Sequence, residues 1–286
     1  MSLVAIAILA AGCQTSGPQV QISREHAEAL SLDLSGGVAA ADSGLVYLAT
    51  RTNVASYKPS RNRMENLLID ACSDIRDLAV TPEGVVLVLR PRALSTCVAG
   101  HLVTLYSLQE DAIAVSCDRE FAYVLTARGQ GARLLRIHLS GGNKGLQQTL
   151  LTTEDRPRAL CAVHGGCLVA SGGNVVKVSD PVPTADNPNG EIATALLAAI
   201  QDPITSIVAD EKKLIVYFAT ADVVYAWVQG QIVPIFPAGS RLAWAKDTLT
   251  ICRPSSGSQM IQIPAVGKYT SNLLKRLEKS GSEKKP

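Results

Sequence analysis

Hydrophobic positions in this chain come in short bursts. Runs rich in Val, Ile, Leu, Tyr and Thr, bounded by Gly, Asp, Pro or Ser, recur along its whole length, while the spacing of an amphipathic helix is scarce. Six stretches share one plan, an apolar strand, a polar turn and a second apolar strand: VAAADSGLVYLAT, IRDLAVTPEGVVLVL, AIAVSCDREFAYVL, ALCAVHGGCLVA, SIVADEKKLIVYF and RLAWAKDTLTIC. Each predicts a hairpin. Turns marked at Gly44, Gly84, Glu120, Gly166, Lys212 and Asp247 are spaced roughly 40, 36, 46, 46 and 35 residues apart, the period of a four-stranded propeller blade. Third strands follow at NVASYK, LVTLYSL, RLLRIHL, NVVKVS, DVVYAWV and QMIQI, and outer strands at NLLI, QQTLLTT and QIVPIF. The fold class expected is all-β, a β-propeller. Blades packed around an axis bury both faces of their inner strands, so those strands read as continuous apolar runs.

The number of blades turns on the N-terminus. SLVAIAILAAGCQTSGPQVQISRE has an apolar run, a Gly/Ser turn and an alternating segment, which resembles the end of a blade and brings the count to seven, with six as the alternative. The same letters resemble a bacterial lipoprotein signal in which Cys13 would be lipidated. A charged leader is missing, since no Lys or Arg precedes Arg24, and Ala10 stands three before Cys13 where such signals carry Leu. The strand reading is favoured, giving a propeller over 1–265 and a basic C-terminal helix or tail over 266–286.

Charge adds one feature. The net charge is +2, but residues 266–286 hold six Lys/Arg against two Glu, leaving the rest near neutral. The N-terminal apolar run stops at about nine residues, half of what spans a bilayer. Seven cysteines without zinc-type pairing sit mostly in apolar strands, where a thiol behaves as a small hydrophobe.

No catalytic constellation emerges, and neither a cofactor nor a metal is expected. Cys161, His164 and Cys167 in CAVHGGC would meet only if their turn folded inward; a hairpin turn uses His-Gly-Gly equally well. ASGGN has no following helix to present a phosphate site. SDPVPTADNPNGE, at 179–191, is the longest irregular loop. In GKYTSNLLKRLEK, Thr270 or Ser271 would cap a short helix with Leu273, Leu274 and Leu277 on one face and Lys275, Arg276 and Lys279 on the other.

The repeats resemble the WD-repeat propellers, without the Gly-His and Trp-Asp signatures. AVSCDREFAYVLTA, GCLVASGGNVVKV and YTSNLLKRLEK look most like segments of the non-catalytic WD-repeat subunit of tRNA (guanine-N7) methyltransferase. The resemblance implies a scaffold that holds a methyltransferase catalytic subunit, with tRNA touched indirectly or through the tail. It puts partner contacts at Arg136, with Arg133 beside it, while the tail offers Lys268, Lys275, Arg276 and Lys279. The Asp-Glu-Lys that precedes the contact Arg in that family is missing here. The function expected is therefore a non-catalytic interaction scaffold of the cytoplasm or nucleus, without membrane contact. The alternative is an envelope propeller anchored through Cys13 in the bacterial periplasm or outer membrane, and an axial-metal hydrolase is the third reading.

Overall fold

The computed structural model describes residues 36–282 except 62, 70–71, 73, 183–189, 238–240 and 254–258. It is a six-bladed β-propeller with one C-terminal helix. Blade 1 holds β1 (Val38–Ala40), β2 (Val46–Ala49), β3 (Val54–Lys58) and β4 (Arg63–Asn66). Blade 2 holds β5 (Asp77–Val80), β6 (Val86–Arg90), β7 (Ala93–Val98) and β8 (His101–Ser107). Blade 3 holds β9 (Ala112–Cys117), β10 (Phe121–Arg128), β11 (Gly131–His138) and β12 (Gln147–Thr153). Blade 4 holds β13 (Ala159–Val163), β14 (Gly166–Ser171), β15 (Asn174–Ser179) and β16 (Thr194–Ala199). Blade 5 holds β17 (Ser206–Asp210), β18 (Ile215–Ala219), β19 (Val223–Val228) and β20 (Gln231–Pro237). Blade 6 has three strands among the described residues, β21 (Arg241–Ala245), β22 (Thr248–Arg253) and β23 (Gln259–Pro264), and leads into the helix α1 (Val266–Ser282).

Every blade is an antiparallel meander running outward from the axis. The inner strands touch in the cyclic order β1, β5, β9, β13, β17, β21 and back to β1, so the ring closes at six units and the count of seven is corrected to six. Blade 1 packs directly on blade 6: Val38, Val46, Leu48 and Tyr57 share one core cluster with Ala243, Cys252 and Met260. Residues 3–24 and Cys13, on which the seventh unit and the lipid anchor rested, lie outside the described residues.

The hairpins fall where the sequence puts them, and one third strand does not. In blade 2 the third strand is ALSTCV (β7), and LVTLYS belongs to the outer strand β8. NLLI lies three residues late, with only its Asn66 in β4, which is formed by RMEN. Blades 2, 3, 4 and 5 each carry a register shift between third and fourth strands, at Leu94/Ser95, Leu134/Leu135, Val175/Val176 and Val224/Tyr225. A bulge there increases twist and turns the outer strand away from the axis.

Side chains on inner strands tie blade 2 to blade 3, blade 3 to blade 4 and blade 5 to blade 6. An Asp77 carboxylate oxygen accepts from the Val115 amide at 2.9 Å, Ser116 Oγ from Ala162 at 2.8 Å and Ser206 Oγ from Leu242 at 2.9 Å. Each satisfies an amide that the meander leaves unpaired on its axial edge. Close backbone approach fixes one glycine: a Cβ at Gly166, whose φ is +145°, would lie 2.1 Å from the Val178 carbonyl oxygen.

Candidate functional site

Two faces follow from the strand directions. The entry face carries the beginnings of the six inner strands; the turn face carries the hairpins that join first and second strands. Three places on this frame hold polar groups with a chemical use: an axial channel, a groove across the junction of blades 1 and 6, and a buried ionic cluster between blades 3 and 4.

The axial channel encloses about 200 Å³ and is lined by all six inner strands. Its walls are mostly small or apolar, with Ala39, Ala79, Ala159 and Leu160 among them. Charge sits at the entry-face mouth, on Asp77, Arg158 and Arg241. Arg241 Nη1 stands 3.9 Å from Asp77 Oδ1, reaching from blade 6 to blade 2 past blade 1. A side chain on blade 1 is excluded from that path, because a Cβ at Gly37 would lie 2.5 Å from Asp77 Oδ1. Burial raises the Asp77 pKa, against the opposing effects of Arg241 and of the amides of Val115 and Leu78. Among the described residues no three His, Cys, Asp or Glu side chains converge as metal ligands would.

The groove is larger, about 500 Å³, and more apolar. Ala40, Ala41, Leu45 and Val46 form its blade 1 wall, and Ala245, Thr248, Thr250 and Pro264 its blade 6 wall. Lys58 and Lys246 stand on the rim, and among the described residues no Asp or Glu lines it. Neither lysine makes an ion pair among the described residues. Lys246 and Asp247 both have positive φ, at 45° and 64°, in the two-residue turn between β21 and β22. Asp247 is occupied by Lys213 of blade 5, so it does not neutralise Lys246.

Helix α1 begins beside this groove, straight after Pro264. Val266 is fully buried in the core of blades 5 and 6, and Tyr269 and Leu274 pack against the same cluster. The helix starts earlier than the proposed caps: Thr270 is buried in its second turn with Oγ1 donating to the Val266 carbonyl, and Ser271 Oγ donates to Gly267. Lys268 and Lys275 are exposed. The backbone of α1 continues through Arg276 and Lys279, whose side chains lie outside the described residues.

Arg133 and Arg136, placed at the partner contact by resemblance, are both held by intramolecular pairs. Arg136 Nη1 lies 3.1 Å from Asp180 Oδ1 of blade 4, with side-chain exposures of 12% and 18%. Its Nη2 donates to Gln148 Oε1 at 2.6 Å, and the guanidinium carbon is 4.5 Å from the Phe121 ring centroid. The fully buried Tyr123 donates its hydroxyl to the same carboxylate, 2.9 Å from Oδ2. Arg133 Nη2 pairs with Glu110 Oε1 at 3.3 Å, and Thr126 donates to Glu110 Oε2 at 2.8 Å. The Arg136 cluster is an inter-blade clamp that joins Phe121, Tyr123, Arg136 and Gln148 of blade 3 to Asp180 of blade 4.

Cys161, His164 and Cys167 do not converge. Cys161 packs toward blade 5 and Cys167 toward blade 3, on opposite faces of blade 4. Burial pushes the Cys161 thiol up to about 12 and raises Cys167 as well, the state of inert structural thiols. The groove was missed in the sequence because its two lysines are 188 positions apart in number, 246 less 58, and meet only through ring closure.

No protein-family model matches the chain, and no curated protein matches it. Solved structures share its fold. A gluconolactonase from Xanthomonas campestris is 13% identical at a TM-score of 0.65, over 80% of this chain and 85% of that one. A chain of a mitotic checkpoint complex is 11% identical at 0.57, over 80% and 90%. Virginiamycin B lyase from Staphylococcus aureus is 10% identical at 0.54, over 79% of each. Enzymes and an assembly component thus share this architecture, and at these identities the likeness concerns the fold alone.

Proposed function

We propose that this chain is a non-catalytic β-propeller scaffold of the cytoplasm or nucleus that docks a protein partner on its turn face, across the junction of blades 1 and 6. The observation that carries the reading is the apolar groove of about 500 Å³ with Lys58 and Lys246 on its rim and no carboxylate lining it among the described residues. An apolar floor gives affinity, and a basic rim selects a partner segment that carries both apolar and acidic side chains. Helix α1 extends the same basic character with Lys268 and Lys275. The partner named by the sequence resemblance is a tRNA (guanine-N7) methyltransferase catalytic subunit, with tRNA reached through it or through the basic helix. Under that reading the contact falls on the groove and helix, since Arg136 is turned onto Asp180.

The test is affinity capture from native extract with the wild-type chain and with a Lys58→Glu/Lys246→Glu variant. Recovery of a methyltransferase subunit by the first and its loss with the second is the expected result. Equal recovery of that subunit by both removes the groove from the interface, and recovery of other partners alone removes the methyltransferase assignment.

A further inference from the structure

The mouth of the axial channel is a separate feature, on the opposite face from the groove. Two guanidinium groups and one carboxylate stand around it, a formal excess of one positive charge. The carboxylate of Asp77 is already engaged twice, accepting from the Val115 amide at 2.9 Å and facing Arg241 at 3.9 Å. Arg158 is different. Its backbone amide is fixed by the Ala170 carbonyl at 2.9 Å, while its exposed side chain makes no hydrogen bond or ion pair among the described residues. Blade 4 therefore presents an exposed cation, with five donors, at the rim of a pit that carries a second guanidinium, Arg241, two blades further round.

Below the mouth the character changes. Val38, Ala39, Ala79, Val115 and Leu160 line the channel together with Ser116 and Ser206, whose hydroxyls already accept from the Ala162 and Leu242 amides, so a short stem seated deeper than the arginines meets small side chains and strand edges. A volume of about 200 Å³ admits a small group and excludes a folded segment. The ligand that fits both levels has an oxyanionic head and a short apolar stem.

We infer that the channel mouth binds a small organic oxyanion, a carboxylate or phosphate monoester, its head held between Arg158 and Arg241 and its stem in the channel. Charge-assisted, forked hydrogen bonds from arginine favour planar or tetrahedral oxyanions over halide ions. Trp244, which lines the same channel from blade 6, supplies an optical probe.

The experiment is a titration of intrinsic tryptophan fluorescence at constant ionic strength, using butyrate, butyl phosphate and chloride in separate arms. Saturable quenching or enhancement by butyrate or butyl phosphate, absent with chloride, is expected, and the two organic arms identify the head group. Arg158→Gln should weaken that binding by about tenfold or more, the loss of a charge-assisted contact, with an unchanged melting curve because the side chain is exposed. Retention of full affinity by Arg158→Gln overturns the site, as does a lack of saturation by either organic anion at millimolar concentration. The Lys58→Glu/Lys246→Glu variant should bind the anion as the wild type does, so this result stands or falls apart from the partner docking.

Discussion

Replacing Arg136 by Glu distinguishes a docking residue from a structural clamp. In the folded protein the guanidinium lies between Asp180, Gln148 and the Phe121 ring and is only 12% exposed. The substitution removes the partner of a nearly buried carboxylate and sets a second carboxylate against it. Removing one member of a buried pair costs about 3–5 kcal/mol, and Asp180 also anchors the Tyr123 hydroxyl, so little relaxation is open to it. For a domain of this size such a loss lowers Tm by on the order of 10 °C. Urea melts of wild type, Arg136→Met, Asp180→Asn and the double variant supply the coupling. The double variant should be less destabilised than the sum of the singles by about 1–3 kcal/mol. An Arg136→Glu protein with wild-type Tm and weakened partner capture would refute the clamp and return Arg136 to the interface.

Further outcomes follow from other parts of the ring. Lys58→Glu/Lys246→Glu should change unfolding free energy by no more than about 0.5 kcal/mol, since neither lysine is paired among the described residues, and a larger loss in a urea melt would show an overlooked structural role. Ser206→Ala leaves the Leu242 amide without its 2.9 Å acceptor and should cost about 1–3 kcal/mol by the same assay. Cys252 is fully buried and its thiol is pushed up to about 12 by desolvation, partly offset by Arg241. Because the unfolded thiol ionises first, the Cys252 contribution should be intact below 9.0 and fall by about 1.4 kcal/mol per pH unit between 9.0 and about 12, so Cys252→Ala should lessen the alkaline slope by that amount while Cys161 and Cys167 keep theirs. Gly166→Ala, which drives a Cβ into the Val178 carbonyl at 2.1 Å, should cost about 1–3 kcal/mol, read as a lower urea midpoint.

Much of the fold is legible because it is local. The six hairpin turns are written in Gly, Asp, Glu and Lys between apolar runs, and neighbouring strands pair in chain order. ALSTCV in blade 2 escapes this reading because Ser95 and Thr96 break the apolar run, although both are buried in the sheet. The blade count is less legible, since ring closure depends on a contact between β1 and β21 that no local pattern encodes. Site residues are least legible. Arg136 looks like a free cation in ARLLRIH, and its counter-charge Asp180 comes from the loop of the next blade. Lys58, Lys246, Arg158 and Arg241 acquire significance only from the blades that the ring sets beside them.

The chain passes covalently from each blade to its successor at five junctions, and among the described residues the sixth is joined by non-covalent contact between blade 1 and blade 6. The groove lies over that sixth junction, so a bound segment would touch both ends of the meander at once and act as a staple on a split ring. Its binding free energy then adds to the work of separating blade 1 from blade 6. The docked scaffold should consequently resist opening at that joint, and the partner would lengthen the lifetime of the closed ring.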